Sequence, residues 1–95
     1  MTICNAIREQ RLLAFTYGGY RRVVEPHTYG SDGKGHLALR AYQVEGGSET
    51  GEQVGWKLFH VDKIGGLQML DHTFAHARAG YRQGDPAFRD IQCQL

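Results

Sequence analysis

Hydrophobic and polar residues alternate along most of this chain, in short runs that are separated by glycine-rich turns. Alternation with a period of two places successive side chains on opposite faces of a strand, so it predicts β-structure. The predicted strands are residues 12–17, 20–29, 36–44, 54–61 and 67–70. The pair Gly18-Gly19 between the first two strands is typical of a two-residue hairpin turn, in which both residues adopt positive φ.

The first residues follow a helical pattern instead. Ile3, Ala6 and Ile7 have the spacing of one helical stripe, and Thr2 is a candidate N-terminal cap. The predicted helix, residues 3–11, is too short to be stable alone and must pack on the strands. We therefore predict an α+β fold, in which the N-terminal helix packs on a bent, five-stranded antiparallel β-barrel.

The last part of the chain has a weaker pattern. Asp85-Pro86 is typical of a helix start, and Phe88 and Ile91 would form the apolar stripe of that short helix. We assign residues 1–71 to the barrel with its helix, and residues 72–95 to a C-terminal extension of the same domain.

Composition fits one small domain of 95 residues. Its 11 basic and 10 acidic residues give a net charge of +1, so bulk charge predicts attraction neither to nucleic acid nor to membranes. No apolar run approaches the ~18 residues of a membrane span, and no signal peptide is apparent, so we expect a cytoplasmic protein.

Cys4 and Cys93 lie at opposite ends without metal-ligand spacing. We predict two reduced thiols; the alternative is a bridge that ties the termini together.

Five short segments follow one another in a familiar order. They are Ala6-Ile7, Phe15-Thr16-Tyr17, Val23-Val24-Glu25-Pro26, Leu39-Arg40-Ala41-Tyr42 and Phe59-His60-Val61-Asp62-Lys63-Ile64. In order and spacing, residues 3–70 resemble the WYL domain, an Sm-like barrel module of bacterial transcriptional regulators and defence-associated proteins. Leu37-Ala38-Leu39 stands where that family has Trp-Tyr-Leu, and lysines replace two of its usual arginines.

The resemblance implies a function. Most WYL proteins carry a DNA-binding helix-turn-helix before the barrel, whereas this chain starts at the barrel helix, so we expect a stand-alone regulatory domain. Such a domain would bind a negatively charged ligand, either single-stranded nucleic acid or a nucleotide, and would modulate transcription or a defence system. A homodimer, or a protein partner that carries the effector, would transmit the signal.

The predicted ligand site centres on Arg40 and Tyr42, which lie two residues apart in one strand and therefore share a face. A guanidinium beside an aromatic ring can hold a phosphate and stack a base. The remaining predicted ligand-binding residues are Lys57, Lys63, Arg22 and Tyr17. The alternative interpretation is that Arg40 pairs with Glu25 or Asp62 across strands while Tyr42 packs. Tyr17 likewise fits either a stacking platform or a barrel residue with its hydroxyl at the rim.

No catalytic constellation stands out, so we predict no enzyme, no cofactor and no metal. His72 and His76 have the i, i+4 spacing of a helical metal pair, which keeps a small metal-assisted enzyme as one alternative. The glycines of residues 30–35 lack the features of a phosphate loop and fit a hairpin turn. A second alternative is a protein–protein interaction or dimerisation module that uses Trp56 and Leu58 as its apolar surface, without a small ligand.

Overall fold

The computed structural model describes residues 2–95, which form one helix and six strands. The elements are α1 (Thr2–Glu9), β1 (Arg11–Tyr17), β2 (Tyr20–Ser31), β3 (Leu37–Gly46), β4 (Gly55–His60), a 3-10 turn (Val61–Lys63), β5 (Gly65–Thr73) and β6 (Asp90–Gln94). The α+β class and the N-terminal helix agree with the prediction. Gly18 and Gly19 both have positive φ, 59° and 81°, and so form the predicted hairpin turn between β1 and β2.

All strand pairs are antiparallel, and the strands follow the order β4-β3-β2-β1-β5, with β6 added beside β2. Two strands pair with the same edge of the long strand β2: β1 pairs with its first half, and β6 pairs with its last residues. Within residues 2–95, β4 and β5 end the sheet without pairing to each other. The sheet therefore has six strands and is not closed, which differs from the predicted five-stranded barrel.

The sixth strand comes from the part of the chain that the sequence pattern assigned to a second helix. Asp85 does begin a turn, since its side chain accepts the Ala87 N–H at 2.9 Å and its carbonyl accepts the Phe88 N–H at 3.1 Å. The chain then leaves the turn, because the Arg89 N–H donates to the Ser31 carbonyl at 2.8 Å. A Cβ at Gly30 would overlap the Asp90 carbonyl oxygen, so glycine permits this pairing.

The core lies between α1 and one face of the sheet, called the inner face here. The helical stripe of Ile3, Ala6 and Ile7 is buried, as predicted. It packs against inner-face side chains that include Phe15 and Phe59, whose rings meet edge to face with centroids 4.9 Å apart. The opposite face of β2, β3 and β4 is called the outer face.

Cys4 and Cys93 form a disulfide, with their Cα atoms 5.8 Å apart, so the prediction of reduced thiols was wrong. The cause is β6: Cys93 pairs opposite Tyr29 of β2, and this register places it beneath α1. The observed bridge is the alternative that the sequence left open; because it joins residues separated by 89 positions, no local pattern could select it over free thiols.

No helix among residues 2–95 is long and apolar enough to cross a bilayer.

Candidate functional site

Arg40 and Tyr42 do share the outer face of the sheet, as predicted. The register pairs Arg40 with Thr28 and Leu58, and Tyr42 with Glu25 and Trp56. Residues 74–89 cross this face, and this segment is called the tail cover. Both side chains are only partly exposed, because they lie next to the tail cover rather than open to solvent.

Arg78 of the tail cover lies over the ring of Tyr42. Its guanidinium binds the buried Glu25 carboxylate through two hydrogen bonds of 2.7 and 3.1 Å. The guanidinium carbon also lies 4.6 Å from the centre of the Tyr42 ring, which is within cation–π distance. The hydrogen bond to Glu25 raises the pKa of Arg78 above its usual value, so the guanidinium stays positively charged. Tyr42 therefore packs, as the alternative interpretation of the sequence expected.

Arg40 is also neutralised by the tail cover. Its Nε donates to the Asp85 carboxylate at 2.8 Å. Burial raises the pKa of Asp85, but the hydrogen bonds from Arg40 and from the Ala87 N–H outweigh burial and hold that pKa below its usual value. The sequence offered Glu25 or Asp62 as the partner of Arg40, and the structure places a third carboxylate there. A cavity of about 260 Å³ remains beside this ion pair, lined by Arg40, Trp56, Gly80, Tyr81, Arg82, Asp85 and Pro86.

His27 holds the tail cover in place from below. Its ring is fully buried and contacts the rings of Trp56, Phe74 and Tyr81, at centroid distances of 4.7, 5.5 and 5.3 Å. Nδ1 lies 2.8 Å from the Glu25 carbonyl, and Nε2 accepts the Arg78 N–H at 3.1 Å. An accepting Nε2 requires the neutral ring, and burial lowers the pKa of His27 in agreement with that form. His27 is thus a structural residue.

Three of the other predicted ligand residues come together at the margin of the inner face. Arg22, Lys57 and Tyr17 line one depression of about 220 Å³, called the Arg22–Lys57 depression. The β3–β4 loop closes its side and contributes two hydroxyl groups, from Ser48 and Thr50. Lys63 is separate, since it lies in the 3-10 turn and lines a different depression. The structure thus divides the six predicted residues among three places.

Arg22 is only 4% exposed, yet no carboxylate of residues 2–95 forms an ion pair with it. Its guanidinium donates to the Tyr17 carbonyl at 3.0 and 3.3 Å and to Gln43 Oε1 at 3.1 Å. The rings of Tyr17, Tyr20 and Phe59 lie 5.6 to 5.7 Å from its central carbon. Neutral acceptors and aromatic faces thus surround the guanidinium, and the nearby carboxylate of Glu49, beside Gly18, forms no ion pair with it.

Lys57 adds a second cation to the same depression. It pairs with Ala41 in the register and therefore projects toward the inner face, away from Arg40. Its Nζ donates to the Glu52 carbonyl at 2.7 Å and to Ser48 Oγ at 3.4 Å. Within the described chain Lys57 has no ion-pair partner either, although the exposed Glu49 lines the same depression. Two cations, two hydroxyls and one exposed carboxylate thus line one depression.

The ring of Tyr17 belongs to the core and not to an open platform. It meets Phe59 edge to face at 4.9 Å, and its hydroxyl accepts the His60 N–H at 3.1 Å. This is the rim position that the sequence offered as the alternative to stacking.

The two histidines of the i, i+4 pair do not face each other from a helix. His72 lies in β5 and His76 in the tail cover, and both are exposed. The hypothesis of a metal-assisted enzyme required both histidines on one face of a helix, and the structure does not place them there. Trp56, the centre of the proposed apolar surface, donates from Nε1 to the Ala79 carbonyl at 3.0 Å and so lies against the tail cover.

Sequence reasoning missed the acceptors and partners that come from distant segments. Asp85 was interpreted as a helix start, and Arg78 was not singled out. Arg78 lies in a stretch without periodicity, and the pattern around Asp85 indicates only a helix start, so no local signal marks either residue as the partner of a remote charge. The absence of a counter-charge at Arg22 is equally invisible in the sequence.

Comparison of the chain with protein-family models, with curated proteins and with solved structures finds no match.

Proposed function

We propose that this protein is a regulatory ligand-binding domain that holds the phosphate of a nucleotide or of single-stranded nucleic acid in the Arg22–Lys57 depression. The observation that carries the proposal is the buried guanidinium of Arg22, which has Lys57 beside it and no carboxylate partner within residues 2–95. An opposite charge close by offsets the cost of burying a cation, and a bound phosphate supplies that charge.

The groups around the depression suit a phosphate. Lys57 offers a point charge, and the hydroxyls of Ser48 and Thr50 offer neutral donors. The exposed carboxylate of Glu49 repels an anion, and it has to turn outward when the anion binds, since it lines the depression on the same side as Arg22. Tyr20, which is 41% exposed and lies 5.7 Å from the Arg22 carbon, supplies an aromatic face for a base.

The resemblance of residues 3–70 to WYL domains supports the same class of ligand, and the Sm-like arrangement and the regulatory role belong to this proposal. Binding orders the β3–β4 loop, because residues 48 and 50 lie in that loop and line the depression. A protein partner or a second copy of the chain senses the ordered loop and changes transcription or a defence system.

The cytoplasmic location remains a prediction. Stable disulfides are typical of oxidising compartments, so the Cys4–Cys93 bridge is the observation that weighs against it.

The test is a fluorescence-anisotropy titration with labelled short single-stranded DNA and RNA and with labelled ATP, at two salt concentrations. The wild-type chain should bind and should lose affinity as salt rises. Lys57→Ala should weaken binding by about tenfold or more, because it removes a charge-assisted contact of about 1.5–3 kcal/mol. Glu49→Gln should strengthen binding, because it removes the one carboxylate that lines the depression.

Two matched variants separate this site from the site that the sequence predicted. Lys63→Ala removes a lysine outside the depression, and Arg40→Ala removes the centre of the sequence-predicted site. Both should bind within about twofold of the wild type. Equal affinity of Lys57→Ala and wild type overturns the proposed site, and a loss confined to Arg40→Ala moves the site to the outer face. A chain that binds none of the probes but sediments as a dimer contradicts ligand binding and favours the interaction module.

A further inference from the structure

We propose that Asp32, His36 and His60 form a binding site for one divalent transition-metal ion of the zinc type. The proposal is independent of the anion site, because none of these residues lines the Arg22–Lys57 depression.

The three side chains already face one another. One ligand atom from each residue lies within 4.8 Å of the ligand atoms of the other two. Asp32 Oδ2 and His36 Nδ1 are 3.5 Å apart, and the rings of His36 and His60 have centroids 5.9 Å apart. In a tetrahedral zinc site, donors about 2.1 Å from the metal are about 3.4 Å from each other. A modest inward rotation of the side chains therefore completes the geometry.

The chain holds Asp32 in the orientation that a ligand needs. Its Oδ1 accepts the N–H groups of Lys34 and His36, both at 2.9 Å, and this leaves Oδ2 directed toward the His36 ring. Backbone hydrogen bonds to one carboxylate oxygen are the outer-shell support that orients ligands in known metal sites. The His36 side chain is 60% exposed, so its ring turns toward a metal without repacking.

His60 reaches the site from a different element. It is the last residue of β4, its partner in the register is Ala38, and its N–H donates to the Tyr17 hydroxyl at 3.1 Å. His36 lies two residues before Ala38, immediately ahead of β3, and its ring contacts the ring of His60 at this end of the β3–β4 pair. A metal ion bound here would therefore join the β2–β3 turn to the end of β4.

The donor set and the surroundings select the class of ion. Two imidazoles and one carboxylate suit Zn²⁺ and its neighbours, whereas Mg²⁺ and Ca²⁺ require oxygen ligands. The depression around the three residues has a volume of about 750 Å³, which leaves room for a water or an anion as the fourth ligand. Asp62, Lys34 and Lys63 also line it, so Asp62 offsets one of two nearby cations.

The experiment is an isothermal titration of the tag-free chain with Zn²⁺. One ion should bind per chain, and His36→Gln and His60→Gln should each weaken binding by about tenfold or more. His72→Gln and His76→Gln are matched controls, because these histidines are exposed and lie outside the site. Both controls should retain the wild-type affinity within about twofold.

Two further measurements keep the result unambiguous. Circular dichroism of each variant without metal checks the fold, and His36→Gln is the decisive variant because its exposed side chain supports no core contact. Zn²⁺ should also raise the melting temperature of the wild type but not of His36→Gln. Unchanged zinc affinity in folded His36→Gln, or an equal loss in His72→Gln, overturns the proposal.

Discussion

The arginines on the two faces of the sheet differ in whether they have an ion-pair partner. On the outer face, Arg40 and Arg78 each bind a carboxylate, at 2.8 and 2.7 Å. At the margin of the inner face, Arg22 is almost fully buried and is bound only by neutral acceptors and aromatic rings. The comparison shows that the buried guanidinium without an ion pair is the one at the margin of the inner face, where a depression of about 220 Å³ lies beside it.

The faces also differ in what covers them. The inner face is covered by α1 through buried apolar side chains, of which Ile3 and Ile7 each contribute about 1.5–3 kcal/mol, and by the disulfide from α1 to β6. The outer face is covered by the irregular tail cover, through two ion pairs and through aromatic contacts of Phe74 and Tyr81 with His27. The Arg78 side chain is 45% exposed, so solvent screening reduces what its ion pair contributes. We expect the tail cover to open locally long before α1 detaches.

The largest expected effect concerns the inner face. Replacing both cysteines, Cys4→Ala with Cys93→Ala, should lower the free energy of unfolding by about 4 kcal/mol, because the bridge closes a loop with a separation of 89 residues. Urea unfolding of the oxidised wild type and of the double variant measures the change. Wild type treated with a reductant is the control and should resemble the variant. A loss below about 1 kcal/mol would show that α1 is held by packing alone.

The next effect concerns the outer face. Arg78→Ala should lower the free energy of unfolding by about 1–2 kcal/mol, since it leaves the buried Glu25 carboxylate without its partner. Arg82→Ala, an exposed arginine without an ion pair among residues 2–95, should stay within about 0.5 kcal/mol.

Hydrogen exchange distinguishes local opening from a global effect in this variant. Arg78→Ala should accelerate exchange in the tail cover and leave α1 protected. Equal acceleration in both regions would mean that the two faces unfold as one unit, against the comparison drawn above.

The pH dependence of stability tests the packing of His27 beneath the tail cover. Its folded pKa lies below the ordinary value of 6.5, so the stability it contributes is complete above pH 6.5. That stability declines as the pH falls from 6.5 toward the folded pKa, because the unfolded chain binds the proton more readily. One proton limits the slope to about 1.4 kcal/mol per pH unit.

His27→Gln keeps a side-chain acceptor but does not titrate, so it should flatten this part of the stability curve. His72→Gln, whose side chain is exposed, should keep the wild-type slope. Asp85, whose pKa is also lowered, acts at a lower pH: its contribution is present above its ordinary value of 3.8 and is lost below it. An unchanged slope in His27→Gln would remove His27 as the group responsible.

The smallest expected effect on stability concerns anion binding beside Arg22, which has no ion-pair partner among residues 2–95. Inorganic phosphate at a few times its dissociation constant should stabilise the wild type by about 1 kcal/mol, because it binds only the folded chain. Thermal unfolding in phosphate and in chloride of equal ionic strength measures the difference. Lys57→Ala should lose this difference, and Lys63→Ala should keep it. Stabilisation that persists in Lys57→Ala would place the anion elsewhere.

Local patterns in the sequence determined most of the secondary structure and which side chains share a face. The strand alternation, the Gly18-Gly19 turn, the stripe of α1 and the common face of Arg40 and Tyr42 follow from the periods of helix and strand, which are properties of neighbouring residues. Arg22, Lys57 and Tyr17 were also chosen from the sequence, and the structure brings these three together.

Only the tertiary structure decided which charges are neutralised and how the ends are joined. The pairing of β6 with β2 made the disulfide, and the tail cover brought Asp85 to Arg40 and Arg78 to Glu25. The physical reason is distance along the chain, since these partners are 45 to 89 residues apart. Periodicity orients a side chain on its own element, whereas the identity of its partner depends on how remote segments pack.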